Sequence, residues 1–281
     1  MKWGLWGSKF SSAAYEQIIR DCIAIGVTSF DHADIYGNYT TEEEFGRVLK
    51  QNPSLRNQIQ LITKCGIQMV SPNRPQHKIK SYDTSYAHII ESVETSLENF
   101  STDYIDCLLI HRPDQLLNAY EVAKAFTQLK QQGKVLHFSV SNFKRWQVDL
   151  LNSRFPVEVN QLECSLLQLN PFVDGTLDQC QQNHIIPMAW SPLGGGNLLA
   201  ETDDEQTKRI LAVANFLADK YNSSADVILL SWLISHPSGI IPVLGTSKIE
   251  RIKAATAATQ IKLEREEWFM LWRASTGKEV A

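Results

Sequence analysis

Eight short apolar runs, each followed by a longer stretch with helical spacing, recur from one end of this chain to the other. Alternation between a hydrophobic period of about two residues and one of about 3.6 marks strand–helix–strand construction around a parallel sheet. Strands are predicted at residues 3–6, 27–31, 59–64, 105–111, 135–140, 157–160, 185–190 and 240–243. Helices are predicted over 12–25, 41–50, 84–100, 119–132, 143–153, 174–183, 207–221, 224–235, 248–258 and 264–275. In 84–100, Ile89, Ile90, Val93 and Leu97 recur at helical spacing while Glu91, Glu94 and Glu98 take other faces, so one face packs and the other is solvated. Gly26 and Gly133 each fall between a helix and the next strand, where a left-handed cap suits glycine.

The count of eight predicts an α/β chain folded as a (β/α)8 TIM barrel, one domain over residues 1–281. No low-complexity stretch, internal repeat or Pro-rich linker divides it. A doubly wound sheet is the alternative, but no GxGxxG follows an early strand to grip a dinucleotide. The net charge is −4 and the basic residues are scattered, which argues against a nucleic-acid footprint or a membrane-seeking face and leaves small molecules as the expected partners. The five cysteines form no CxxC pair and mostly sit in apolar segments, so they read as reduced, cytosolic thiols. No run approaches the roughly 20 apolar residues of a membrane span, and MKWGLWG lacks a secretory apolar core, so a cytoplasmic protein is expected. The sequence carries no legible signal of oligomeric state.

Four chemistry-bearing residues lie at downstream strand ends: Asp31 and Tyr36 in FDHADIYG, Lys64 in LITKCG and His111 in IDCLLIHRPD. A parallel barrel gathers its strand ends at one rim, where residues far apart in sequence meet on one substrate. Singly, each has a plain reading: Asp31 as a turn cap, Tyr36 as a turn aromatic, Lys64 as a solvated strand end and His111 as a loop histidine. Asp34 is a competing partner for Lys64, and His32 reads as a packing or turn residue. The joint pattern favours a site. The long connections 66–83 and 191–206 follow strand C-terminal ends and are expected to be binding loops or lids.

FDHADIYG, LITKCG, LLIHRPD, FSVSNF, VNQ, AWSPLGGG and IPVLGTSKIER, in this order, resemble the aldo-keto reductases, most closely their bacterial YdhF-like branch. The resemblance implies hydride transfer from NADPH to an aldehyde or ketone, with no metal and no covalent intermediate. It implies Tyr36 as proton donor, and a free phenol with a pKa of about 10 needs help in that role. Lys64 beside it favours the phenolate, Asp31 holds the ammonium, and His111 orients the carbonyl. Since Asp31 and Tyr36 sit five apart, the intervening loop must turn the tyrosine back.

For the cofactor, the resemblance implies Ser141, Asn142 and Gln161 on the nicotinamide carboxamide, with helix capping as the alternative role of the first two. Trp190 stands where the family often stacks a tyrosine on the nicotinamide. Ser191, Leu193, Gly195 and Gly196 would line the pyrophosphate, and Gly245, Ser247, Lys248 and Arg251 would face the 2′-phosphate of NADP at a helix start. The chain departs from the family at Ala254 and Ala255, where many members carry an acid and an amide for adenine, and it is expected to lack the usual N-terminal β-hairpin. Trp6 is expected in the substrate pocket with Tyr36 and His111. Cys65 beside Lys64 reads as core, with a redox role as its alternative, because a nearby cation lowers a thiol pKa. Two rival functions remain at this stage: a barrel lyase forming a Schiff base on Lys64, and a non-catalytic NADP-binding sensor subunit.

Overall fold

The periodicities translate into elements in both halves of the computed structural model, which describes residues 3–7 and 10–280. The chain divides into two compact units, Met1–Asn160 and Gln161–Ala281. The first runs α1 (Ser12–Ala24), β1 (Ser29–Asp31), α2 (Tyr36–Tyr39), α3 (Thr41–Gln51), β2 (Gln60–Cys65), β3 (Ile67–Gln68), β4 (Ser81–Tyr82), α4 (Tyr86–Phe100), β5 (Ile105–Ile110), α5 (Ala119–Gln131), β6 (Val135–Ser141) and α6 (Arg145–Asn152). Then β7 (Val159–Glu163) carries the chain into the second unit. There follow α7 (Asn170–Val173), α8 (Thr176–Asn183), β8 (Ile186–Trp190), α9 (Glu205–Lys220), α10 (Ala225–Ile234), β9 (Ile241–Pro242), α11 (Ile249–Thr256) and α12 (Arg265–Thr276).

In the first unit β1, β2, β5 and β6 pair in that order and always in parallel, with Asp31 opposite Ile62, Lys64 opposite Leu109 and Ile110 opposite Val140. Parallel pairing puts the four C-terminal ends on one edge of the sheet. The helices cover it through apolar stripes: α4 buries Ile89, Val93, Leu97 and Phe100. Its start is fixed by Ser85, whose side chain accepts from the His88 N–H. Phe126, Phe138 and Phe155 pack ring on ring with centroids 4.4–5.5 Å apart, each buried ring contributing about 1.5–3 kcal/mol. Gly26 and Gly133 take the expected positive φ, 81° and 70°.

The second unit closes around Leu162, Ile210, Leu217, Ile228, Leu229, Leu233 and Leu271. Trp232 and Trp268 stack at 4.9 Å with planes 15° apart, and each indole N–H donates to the other residue's carbonyl, at 3.1 and 3.0 Å. These reciprocal bonds satisfy two buried donors and tie α10 to α12.

One expectation is corrected, and one small element is added. The run 3–6 does not form a strand: Gly4–Trp6 is a short 3-10 turn. Trp3 is instead buried against Phe10, Tyr15 and Phe30, so the apolar signal there came from helix packing. The connection 66–83 contains the small antiparallel hairpin β3–β4, too short for periodicity to register.

Candidate active site

Register does the assembly. The His32 N–H donates to Ile62 O, Asp34 N–H to Lys64 O, and His111 N–H to Cys65 O, at 2.8, 3.0 and 2.9 Å, so the ends of β1, β2 and β5 share one level. Lys64, on the last turn of the pleat in β2, is 1% exposed. Its Nζ donates to Asp31 Oδ1 and Oδ2 at 2.8 Å each and to the His32 carbonyl at 2.7 Å, and lies 3.5 Å from Tyr36 Oη. An ammonium has three donors. Carboxylate and carbonyl engage two directions, and the third is left facing the phenol. Asp34 does not compete for the lysine; its Oδ1 accepts from the Ile35 N–H at 2.7 Å, and burial pushes its carboxyl well above the usual range. Burial alone would lower the Lys64 pKa, but the adjacent Asp31 and Tyr36 more than offset it, and the net shift is upward.

His111 is buried with its ring edge-on to Tyr36 at 5.9 Å, and its Nδ1 has no hydrogen-bond partner among the described residues. Burial, then the neighbouring Lys64 and Arg112, hold its pKa well below the ordinary histidine value, so the imidazole is neutral. Trp6 is half exposed, with its ring 6.1 Å from that of Tyr36. Asp31, Tyr36, Lys64, His111 and Trp6 therefore converge.

The turn that swings Tyr36 over Lys64 is left-handed at three successive residues, with φ of 60° at Gly37, 58° at Asn38 and 70° at Tyr39. For Asn38 and Tyr39 this costs about 1–2 kcal/mol each. A Cβ on Gly37 would lie 2.5 Å from Thr41 Oγ1, so only glycine fits there.

Sequence reasoning missed two supports. Glu42, 2% exposed, accepts from Thr63 Oγ1 at 2.5 Å, from Ser96 Oγ at 3.0 Å and from Asn99 Nδ2 at 3.2 Å. These neutral donors anchor α3 and α4 to β2 one residue from Lys64, and burial still pushes the Glu42 carboxyl upward. The other support is the His32 carbonyl. The His32 ring is fully buried between Phe45 and Phe100, at 4.7 and 5.1 Å, with neither nitrogen hydrogen-bonded among the described residues, in keeping with a packing role. Cys65 shows no activated thiol: burial first, and Asp34 and Glu42 next, push it well above its usual value, overriding the cation beside it.

The cofactor candidates are placed as follows. In the first unit, Ser141 ends β6 and accepts from Asn142 Nδ2 at 2.7 Å, and Asn142 is left-handed at φ 60°. The cap of α6 is Lys144, so neither serves as a helix cap. In the second unit, Gln161 is buried on β7 and Trp190 is half-buried at the end of β8. Ser191, Gly194, Gly195 and Gly196 all have positive φ, and the Leu193 carbonyl closes the turn by accepting from Gly196 N–H at 3.0 Å. A Cβ on Gly196 or Gly245 would meet nothing within 4 Å, which leaves backbone N–H groups approachable there. Lys248 caps α11, with Ser247 before it and exposed Arg251 on its first turn. Within the second unit, the approachable backbone at Gly196 and Gly245, the exposed Lys248 and Arg251 and the buried Gln161 amide are donors of the kind that a phosphate-bearing dinucleotide with a carboxamide needs, so the residues present there fit NADP(H). Among the described residues no cluster of His, Cys, Asp or Glu could hold a metal, and no helix is long and apolar enough to cross a membrane.

The strand-end tetrad and its α/β frame coincide with a family match: the chain belongs to the aldo/keto reductase family, whose model matches residues 1–274. It is 46% identical to the uncharacterized oxidoreductase YcsN of Bacillus subtilis, over 99% of this chain and 94% of that one. It is 43% identical to the oxidoreductase YdhF of Escherichia coli, covering 99% and 93%, and 40% identical to a 6-dehydroglucose reductase of Agrobacterium fabrum, covering 99% and 95%. A crystal structure of an aldo/keto reductase from Klebsiella pneumoniae with NADP and acetate superposes with a TM-score of 0.77 at 26% identity, over 96% of this chain and 89% of that one. The parallel strand–helix order, with this likeness, fits a (β/α)8 barrel. As a member of that family, the protein is an oxidoreductase.

Proposed function

We propose that this chain is a single aldo-keto-reductase-like barrel domain, 1–281, that reduces the carbonyl of small aldehydes or ketones with NADPH, with Tyr36 as the proton donor. The observation that carries the reading is the buried Lys64 ammonium, with its carboxylate and carbonyl acceptors filled and its remaining face toward Tyr36 Oη at 3.5 Å. NADPH, when bound, supplies the hydride; Ser141, Asn142, Gln161 and Trp190 are assigned to its nicotinamide, Ser191, Leu193, Gly195 and Gly196 to its pyrophosphate, and Gly245, Ser247, Lys248 and Arg251 to its 2′-phosphate.

The chain's own groups do the rest. Neutral His111 hydrogen-bonds the substrate oxygen and holds it beside Tyr36. As negative charge grows on that oxygen, the Tyr36 hydroxyl gives up its proton, and the Lys64 ammonium stabilises the phenolate left behind. Asp31 and the His32 carbonyl keep the ammonium in place through the step. A Schiff-base role for Lys64 is disfavoured by its upward-shifted pKa and by its acceptors, which favour the protonated ammonium, a form with no lone pair to attack a carbonyl.

Two relatives at 40% and 34% identity are named 6-dehydroglucose reductase, which supports polyhydroxylated aldehydes as the first substrates to try. Five cysteines, all free and buried, support a cytoplasmic setting. The test is loss of reduced-nicotinamide absorbance with a panel of sugar aldehydes, simple aldehydes and dicarbonyls, run beside Tyr36→Phe. Turnover in the parent and near-complete loss in the variant, with NADPH still bound by fluorescence, is the expected result. Full activity in the variant removes Tyr36 as the acid, and NADPH binding without turnover on any carbonyl points to a sensor.

A further inference from the structure

The left-handed turn after Tyr36 is held from outside. L-residues visit this backbone region singly, so Asn38 and Tyr39 in succession after Gly37 need contacts that fix them there. The turn's own bonds are local: the Tyr39 N–H donates to Ile35 O at 3.3 Å and Thr40 Oγ1 to Gly37 O at 2.8 Å. Among the described residues, the hydrogen bonds and cation–π contact that reach Asn38 and Tyr39 from outside the turn come from segment 66–83, while the Trp6 ring lies 6.1 Å from that of Tyr36. Met69 N–H donates to Tyr39 Oη at 2.8 Å, and the Met69 carbonyl is 3.4 Å from the same oxygen and 3.1 Å from His77 Nδ1. The Arg74 guanidinium lies over the Tyr39 ring at 4.5 Å, and Asn73 Nδ2 donates to the Asn38 carbonyl at 2.8 Å. Beneath them Tyr36, Tyr39, Met69 and Tyr82 pack together on Ala33, Ile35 and Ile67.

We propose that Tyr39 is a positioning residue: by docking segment 66–83 onto the turn, it aims the Tyr36 hydroxyl at Lys64. The proposal rests on Tyr36 being the proton donor. At 3.5 Å the Tyr36–Lys64 contact is at the long limit of a hydrogen bond, so a small rotation of the turn breaks it. Tyr39 and Asn73 themselves make no hydrogen bond to Asp31, Lys64 or His111 among the described residues. Tyr39 reaches Tyr36 through the backbone of the turn and through their shared packing on Ala33, Ile35 and Ile67.

Tyr39→Phe deletes the hydroxyl and keeps the ring under Arg74; Asn73→Ala deletes the second tie. Each is expected to lower kcat about tenfold, leave the KM for NADPH and the melting temperature unchanged, and raise the solvent deuterium isotope effect on kcat as proton transfer slows. Parent-like kcat and isotope effect in both variants, with Tyr36→Phe inactive, overturn the clamp and leave the donor standing. A fall in kcat with a lower melting temperature and an unchanged isotope effect also overturns it, in favour of plain structural support. Full turnover in Tyr36→Phe overturns the donor reading, and the clamp with it.

Discussion

Replacing His32 with leucine tests whether the ring behind the site is as dry and uncharged as its surroundings require. The ring is fully buried between two phenylalanines with both nitrogens unpartnered among the described residues, and burial first, with the neighbouring Lys64 contributing, holds its pKa well below 6.5. A histidine depressed in the fold contributes stability above its unfolded pKa and loses it as pH falls through that value, because only the unfolded chain takes up the proton. With an unfolded pKa of about 6.5 and about 1.36 kcal/mol per unit, the loss is small at pH 7 and approaches about 2 kcal/mol at pH 5, where the unfolded chain is almost fully protonated. Guanidinium unfolding of parent and His32→Leu at both pH values isolates this one group, since the titration of every other residue cancels in the difference. Leucine also removes two unsatisfied polar atoms, so the variant is expected to be no less stable than the parent at pH 7. Its advantage should then grow by about 2 kcal/mol on going to pH 5. A difference that stays constant between the two pH values would refute the reasoning, because it would mean that the ring titrates alike in both states.

Neutral His111 predicts a turnover profile with no acid limb at the ordinary histidine value; a limb centred near 6.5 that vanishes in His111→Asn would contradict it. Glu42→Leu strands the Thr63, Ser96 and Asn99 donors and should cost about 3 kcal/mol by chemical denaturation. Glu42→Gln keeps much of the bonding and removes a carboxyl whose pKa is raised in the fold, so its stability relative to the parent should improve as pH climbs through the range above about 4.5. The five buried thiols should resist a thiol reagent in the native protein and react together on unfolding, and rapid labelling of Cys65 would show that it is reachable.

The strands and helices that matter for the site were legible because both faces of the parallel strands and one face of each helix are apolar, a pattern the sequence displays directly. Asp31, Tyr36, Lys64 and His111 were legible because each ends such a run. Glu42 was not: a glutamate in the acidic opening turn of α3 looks like a solvated helix start, and only tertiary packing brings Thr63, Ser96 and Asn99 to it. The left-handed turn escaped for a related reason, since Asn38 and Tyr39 carry no local mark of positive φ and are held by a segment some 30 positions downstream. The 3–6 run misled because a tryptophan that buries itself against α1 scores like one in a strand.

The indole ladder of the second unit has an optical consequence. Trp268 also stacks on Trp272, at 5.6 Å and 18°, so three aromatic chromophores lie in a fixed chiral array along α10 and α12. Coupled transitions of such an array give a circular dichroism couplet in the strong far-ultraviolet indole band, and its Trp232–Trp268 part is lost once the C-terminal helix lets go. The chain thus carries, without any label, a spectroscopic gauge of that helix's attachment.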